Sequence, residues 1–539
     1  MSRTLAWTVI WALVATHLLA QSLPGGPWQL PNPPNQVSQL PPENGSSGPV
    51  ATGPAIAAPT VASETAAPTL AEPLAERMAR LEAANRQMAA ELVSLRQQTA
   101  DRPGVPAVPT AVAVSEAPVG SVDPDTIFPL IQGEVGRLMW TKGDCRIVPY
   151  GYLWGNTVYA TEKTNPGSYT LFVESATTRG ESEFVVDGRN TRLGIDVLGP
   201  RVPCLGCAQV GGKIEFDFQG AFATTENKGA VLLRHAYAEI KNENFRFLAG
   251  QTWDVISPLN PGMLMYSVGW DGGNIGYRRG QVRLERYLAA SDSMLLTLQG
   301  SINQNVFGDA ITDKVGTTTY TLSPEPSGWP IVEGRAAVTL GDRTGPDALP
   351  ITLGFSGHVG QTEFSMLNGS AIDPNFAKNQ VRNTWSFNVD LRVPITHQFG
   401  VQCEFFTGEN LSPFLGGIGQ GLDTAGPATP TLPAGVEPFG EIHSTGGWCE
   451  AWYDWTPRLH SHVGYSLDDP NNNDLHAAGE RTYNQFFWSN VIYDVTKSFL
   501  VGFEVSDWKT QYYSIPTAPA TTFAPGESLR CEFVVRYGF

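Results

Sequence analysis

The chain has 539 residues, 52 acidic against 35 basic side chains, a net charge of −17, 56 glycines and 41 prolines. Such acidity repels a phosphate backbone and excludes nucleic acid as a partner. Past the first twenty residues no apolar run is long enough for a helical membrane span. A transmembrane barrel stays open, because its lipid-facing residues alternate with polar ones.

Residues 1–20 read as a secretory signal. Arg3 supplies the charge, Leu5 to Leu19 the apolar stretch and Ala20 the cut. Leu18 stands where a small residue is preferred, so a retained anchor is the other reading. On either reading the chain leaves the cytoplasm, where its six cysteines can oxidise. Residues 21–69, with PNPPNQ and TVASETAAPT, cannot build a core and read as a linker.

Over residues 70–98 a heptad seam emerges. Met78, Asn85 and Leu92 fall at a, and Leu81, Met88 and Leu95 at d. Arg77 and Glu91 at g face Glu82 and Arg96 at e, opposite in sign at the spacing of parallel coiled coils. We expect an oligomerisation helix, with dimer against trimer left open by so few heptads. Residues 99–144 form a second linker.

From residue 145 to 539 short segments alternate with period two, the mark of strands. TRLGIDV sets Leu193, Ile195 and Val197 opposite Arg192 and Asp196. TWSFNVDLRV sets Trp385, Phe387, Val389, Leu391 and Val393 opposite Ser386, Asn388, Asp390 and Arg392. The closing RCEFVVRYGF sets Cys531, Phe533, Val535, Tyr537 and Phe539 opposite Glu532, Val534 and Arg536. Soluble sandwiches alternate too, so the connections decide. Links near 242–244, 291–293, 394–397, 456–458 and 495–497 are short; those near 252–279, 305–333, 407–444 and 511–527 are long and polar. Short and long in turn predict an all-β, sixteen-stranded antiparallel transmembrane barrel from about Pro149 to Phe539, with eight long loops. The last strand must then close on the first, with Tyr537 and Phe539 at the interface of the lipid bilayer. A terminal Phe539 after alternating apolar residues also matches the signal read by barrel-assembly machinery.

Four stretches carry more specific text: TRLGIDV, KIEFDFQGAF, LRHAYAEIKNENFRFLAGQTWDV and RRGQVRLERY, within residues 191–287. In this order they resemble the DcaP-like trimeric porin family of bacterial outer membranes. The resemblance implies a homotrimer of barrels, each with its own pore, and coiled coils on the periplasmic side. It also implies passive uptake of small, often anionic, organic solutes. The insertion WDVISPLNPGMLMYSVGWDGGNIGY departs from the family's pattern, which bears on solute choice rather than architecture.

The Trp253–Arg279 connection is the third long loop, the one that folds inward in sixteen-stranded porins. Asp254, Asp271, Arg278 and Arg279 are therefore constriction candidates, with Arg283 and Glu285 facing them. Wall positions read as inward are Arg192, Asp196, Glu215, Asp217, Asp390, Arg392, Glu404, Glu450, Asp454, Glu532 and Arg536. Acids outnumber bases there, which favours cations and conflicts with the family expectation; a local arginine cluster at the narrowest point would override it.

Cys204 and Cys207 in VPCLGCAQ suit a local disulfide better than zinc, since no second pair lies nearby. Cys403, Cys449 and Cys531 fall on the apolar face and read as small apolar residues there. His460 and His462 share a strand face without an evident third metal ligand. No hydrolase elbow, zinc-protease or phosphate-loop motif occurs, and no cofactor is expected. A passive channel leads; a barrel-borne lipid hydrolase and a structural anchor for the cell wall are the rival functions.

Overall fold

A computed structural model describes residues 139–539 apart from 221–228, 307–310, 316–317, 326, 344–347, 367–378, 424–439 and 515–522. The signal segment, both linkers' bulk and the heptad helix lie outside the described residues. The described residues fall within one compact unit, Val112–Phe539.

Sixteen long strands form the wall. They are β1 (Cys145–Ala160), β2 (Arg192–Val202), β3 (Ala208–Asp217), β4 (Leu232–Lys241), β5 (Phe245–Trp253) and β6 (Arg278–Ser291). Next come β7 (Met294–Asn303), β8 (Ile331–Leu340), β9 (Ile351–Met366), β10 (Asn379–Pro394) and β11 (Phe399–Glu409). The last five are β12 (His443–Thr456), β13 (Leu459–Pro470), β14 (Arg481–Asp494), β15 (Phe499–Tyr512) and β16 (Gly526–Gly538). Each pairs antiparallel with its successor, the arrangement short turns allow. Closure comes from β1, whose first half pairs with β2 (Arg146↔Leu198 to Tyr152↔Arg192) and whose second half pairs with β16 (Tyr152↔Gly538 to Ala160↔Arg530). A short strand, Glu183–Asp187, continues the β2 line along the rest of β1. Phe539 exchanges backbone hydrogen bonds with Gly151, at 3.0 and 3.3 Å. The terminal residue therefore seals the seam. With no free edge, each wall strand pairs on both sides, which a hydrocarbon environment demands.

Alternation sorts the side chains as the sequence implies. Leu284, Phe355, Phe387, Phe487, Val491, Phe503, Phe533 and Tyr537 point out and are exposed, while Glu285, Ser356, Asn388, Asn490, Glu504 and Glu532 point in and are buried. An apolar outside over a polar inside is what a lipid-facing barrel requires.

The cysteines differ from expectation. Cys204 and Cys207 are exposed free thiols in the β2–β3 turn, not a disulfide. Instead Cys403 and Cys449, directly opposite each other on β11 and β12, are bonded. Parity alone placed both on the outer face; the register that brings them together was not legible without strand pairing.

Candidate functional site

The loop between β5 and β6, residues 254–277, is apolar for a loop, and the barrel interior explains why. Val255, Ile256, Leu259, Met263, Leu264 and Met265 are all 5% exposed or less. They need an apolar surface: Leu259, Met263 and Met265 find it on a shelf of inward aromatic rings, Trp448 on β12, Phe486 and Trp488 on β14, and Trp508 on β15, and Leu264 finds it on Ile492, Leu500 and Val534. Phe486 and Trp508 stack with centroids 3.8 Å apart. The third loop therefore lies inside the barrel, as its position in the chain predicts.

Polar groups fix it there. Four wall glutamates take loop backbone amides as donors: Val255 N–H to Glu333 at 2.6 Å, Leu259 N–H to Glu404 at 2.7 Å, Gly262 N–H to Glu450 at 2.6 Å and Leu264 N–H to Glu504 at 2.7 Å. These carboxylates come from β8, β11, β12 and β15. Asn490 donates to the Gly262 carbonyl at 2.6 Å and Gln402 to the Asn260 carbonyl at 3.0 Å. An extended loop has unpaired amides that a buried site must satisfy, and a carboxylate is a strong acceptor for them. Gly262 and Gly273 permit the approach. A Cβ on Gly262 would collide with the His462 ring, and one on Gly273 with Ser466 and the Gly447 carbonyl.

The described start of a second loop, residues 410–423, also enters. Leu411 and Phe414 pack with Ile256 and Ile275 of the third loop. Asp271 N–H donates to the Leu415 carbonyl at 2.9 Å, and Asn484 donates to the Asp271 carbonyl at 2.7 Å. Asp271 is thus buried between two loops and the wall. Burial pushes its carboxyl up to about 7, helped by the neighbouring Asp468 and opposed by Arg481.

On the opposite side of the third loop a cavity remains. Arg192, Arg234 and Arg536 line it, with rings from Tyr152, Trp154, Trp253, Tyr266 and Trp270. The Arg536 guanidinium lies 5.3 Å from the Tyr152 centroid and 5.6 Å from that of Trp154. Arg234 bonds Glu215 at 2.9 Å and Asp217 at 2.8 Å, and Arg192 reaches Glu215 at 3.4 Å. Arg278 stands just behind, over the Trp253 ring at 4.5 Å. Of these guanidiniums, Arg192 and Arg234 meet the carboxylates of Glu215 and Asp217.

The sequence-predicted residues are dispersed by this arrangement. Of the six constriction candidates, only Arg278 touches rings that line the cavity. Asp254 and Arg279 pair with each other at 2.7 Å, with the guanidinium 3.9 Å over Phe414. Arg283 pairs with Glu285 at 3.3 Å, and Glu285 also meets Arg246. Asp271 faces the other loop. Among wall positions, Arg192 and Arg536 line the cavity, and Glu215 and Asp217 hold Arg234. Glu404 and Glu450 hold the loop. Asp390 pairs with Arg335 at 2.6 Å, Glu532 with Arg530 at 2.6 Å, and Asp196 with Lys213 at 3.7 Å. Asp454 bonds His460 at 2.7 Å, and Arg392 lies over Trp452 at 4.9 Å. The sequence reading missed Arg234, Glu333 and Glu504. Inward parity within their strands was the signal for Glu333 and Glu504. Arg234 sits at a bulge, where the β3–β4 register shifts and parity misleads. Among the described residues no cluster of three metal-ligating side chains occurs, so His460 and His462 stand without one.

A closed sixteen-stranded cylinder, apolar outside and polar within, narrowed by its third loop, has the architecture of a porin. No protein-family model matches the sequence, and no curated protein matches it. Among solved structures it is similar to the outer membrane channel DcaP of Acinetobacter baumannii, at 19% identity over 74% of this chain and 99% of that one, with a TM-score of 0.52. The fold is that of DcaP, as the resemblance of residues 191–287 implied. An anion-selective porin from Comamonas acidovorans matches at 11% identity, 73% and 100% coverage and a TM-score of 0.42. Salmonella typhi OmpF matches at 11% identity, 75% and 100% coverage and a TM-score of 0.43.

Proposed function

We propose that the chain is an outer-membrane porin whose water-filled pore passes small anionic organic solutes by passive diffusion. One observation carries the sign. Of the wall acids that made the lumen read as cation-selective, Glu404 and Glu450 are engaged on loop amides, as are Glu333 and Glu504, while the space left beside the loop is lined by Arg192, Arg234 and Arg536. Field lines concentrate where low-dielectric walls close in, so charges at the narrow point outweigh those elsewhere. The aromatic rings beside the guanidiniums give the apolar part of such a solute a surface.

In this reading residues 1–20 direct export, residues 70–98 join subunits into a homotrimer from the periplasmic side, and the Phe539 terminus engages the assembly machinery. The short turns face the periplasm and the long loops the exterior. Planar-bilayer recording in a salt gradient tests the pore and its sign together: discrete conductance steps with a chloride-favouring reversal potential are expected. A non-conducting barrel would turn the reading toward a structural anchor, and a potassium-favouring one would remove the anion assignment.

A further inference from the structure

Arg278 is 2% exposed, and its Nε, Nη1 and Nη2 all lack an acceptor among the described residues. It is the one arginine among them with all three nitrogens buried in that state. Its neighbours each have acceptors, with only Nη1 of Arg279 left over. Arg279 bonds Asp254 and the Pro413 carbonyl, Arg234 bonds Glu215 and Asp217, and Arg283 bonds Gln281 and Glu285.

What surrounds Arg278 instead is a cage of three rings. Its guanidinium carbon lies 4.5 Å from the Trp253 centroid, 5.1 Å from Tyr277 and 5.6 Å from Trp270. Ring faces offset part of a cation's lost hydration. They do not replace the acceptors that five fixed N–H bonds require, and a buried charge without them is costly. Ring edges carry partial positive charge and tolerate an anion beside them. The site therefore offers donors and a cationic centre, and no carboxylate of the described residues bonds it.

We propose that Arg278 and its cage form a binding site for one small anion, either a halide or the carboxylate group of a permeating solute. Trp253 and Trp270 also line the arginine cavity, so they separate this site from the route by which an anion arrives. A carboxylate would take two parallel N–H bonds from the guanidinium; a halide would take the same donors as a sphere. The inference rests on the anion-passing reading above, since a pore that excluded anions would not deliver one.

The test is crystallographic, on the full-length protein in detergent, with bromide as the probe. Anomalous density at hydrogen-bond distance from Arg278 is expected in the wild type and absent in Arg278→Met. Adding acetate at equal concentration distinguishes the sources: loss of the bromide signal marks a site that prefers carboxylates, and its persistence marks a halide site. Ordered water with no anomalous signal in the wild type overturns the proposal, and so does a peak that survives Arg278→Met. Should the variant fail to fold, the wild-type crystals alone decide. A chloride-favouring reversal potential with no bromide at Arg278 would sink this inference and leave the pore assignment standing.

Discussion

Glu404 and Leu259 are joined across the lumen: the β11 carboxylate accepts the loop amide at 2.7 Å through one oxygen and the Ser257 hydroxyl at 2.5 Å through the other. Three more glutamates repeat the relationship along the loop. A charge-assisted hydrogen bond of this kind contributes roughly 1.5–3 kcal/mol. Removing two of them, as in Glu404→Ala with Glu450→Ala, should weaken loop docking by about 3–6 kcal/mol on the same scale. The aromatic shelf remains, so the loop is expected to detach intermittently rather than unfold. Single-channel traces of the double variant should show larger mean conductance and more open-channel noise than wild type. An unchanged trace would mean the apolar contacts alone hold the loop.

Much of this barrel was legible because its strands obey a period of two and its connections alternate in length. Both are properties of one-dimensional text. The lumen was less legible, for a physical reason. Whether Glu404 faces water or an amide depends on where residues 254–277 run, and nothing local in FGVQCEF carries that path. Charge counting over the wall therefore weighed Glu404 and Glu450 as free carboxylates, although both hold loop amides. Cys403 and Cys449 show the same limit, since their pairing is a matter of register between β11 and β12. The loop's own composition was the available signal: VISPL and MLMY are too apolar for a solvated connection, and their burial required a lining of rings.

Arg192 and Arg536 should set the sign of selectivity. Both line the cavity, Arg192 reaching Glu215 at 3.4 Å and Arg536 lying over the Tyr152 and Trp154 rings. A unit charge about 4 Å from a permeating ion is worth roughly 1 kcal/mol even at the dielectric of water, about fivefold in preference. Arg192→Gln with Arg536→Gln is expected to lower the anion-to-cation permeability ratio by an order of magnitude or more on that estimate. Reversal potentials under a tenfold potassium chloride gradient measure it. A ratio that stays put would show that the ions pass elsewhere.

Gly273 tests the seating of the loop from its other side. Its φ is 126°, and the space where a Cβ would stand is occupied by Ser466 and the carbonyls of Gly447 and Leu467. Gly273→Ala combines overpacking, typically about 1–3 kcal/mol, with a backbone conformation that L residues disfavour. The barrel should still assemble, because β5 and β6 pair independently of the loop tip. Hydrogen exchange at the amides of Leu259, Gly262 and Leu264 should accelerate while exchange in the wall strands stays slow. Equal protection in variant and wild type would place the loop further from β13 than this arrangement has it.

Asp271 gives the loop a pH dependence. Its carboxyl is raised from an ordinary value of 3.8 to about 7, first by burial and then by Asp468. A carboxyl with a raised value in the folded loop favours the protonated form. The stability it contributes is complete below about pH 4 and is lost as pH rises through 7. Between about pH 4 and 7 the packing of the third loop on residues 410–423 should therefore loosen, and open-channel noise should rise. Asp271→Asn keeps the shape without the charge, so its noise should stay low and flat across that range. Noise that rises identically in Asp271→Asn would assign the effect to another group, with Glu480 the next to examine, since burial raises its carboxyl too and Asp423 adds to the shift.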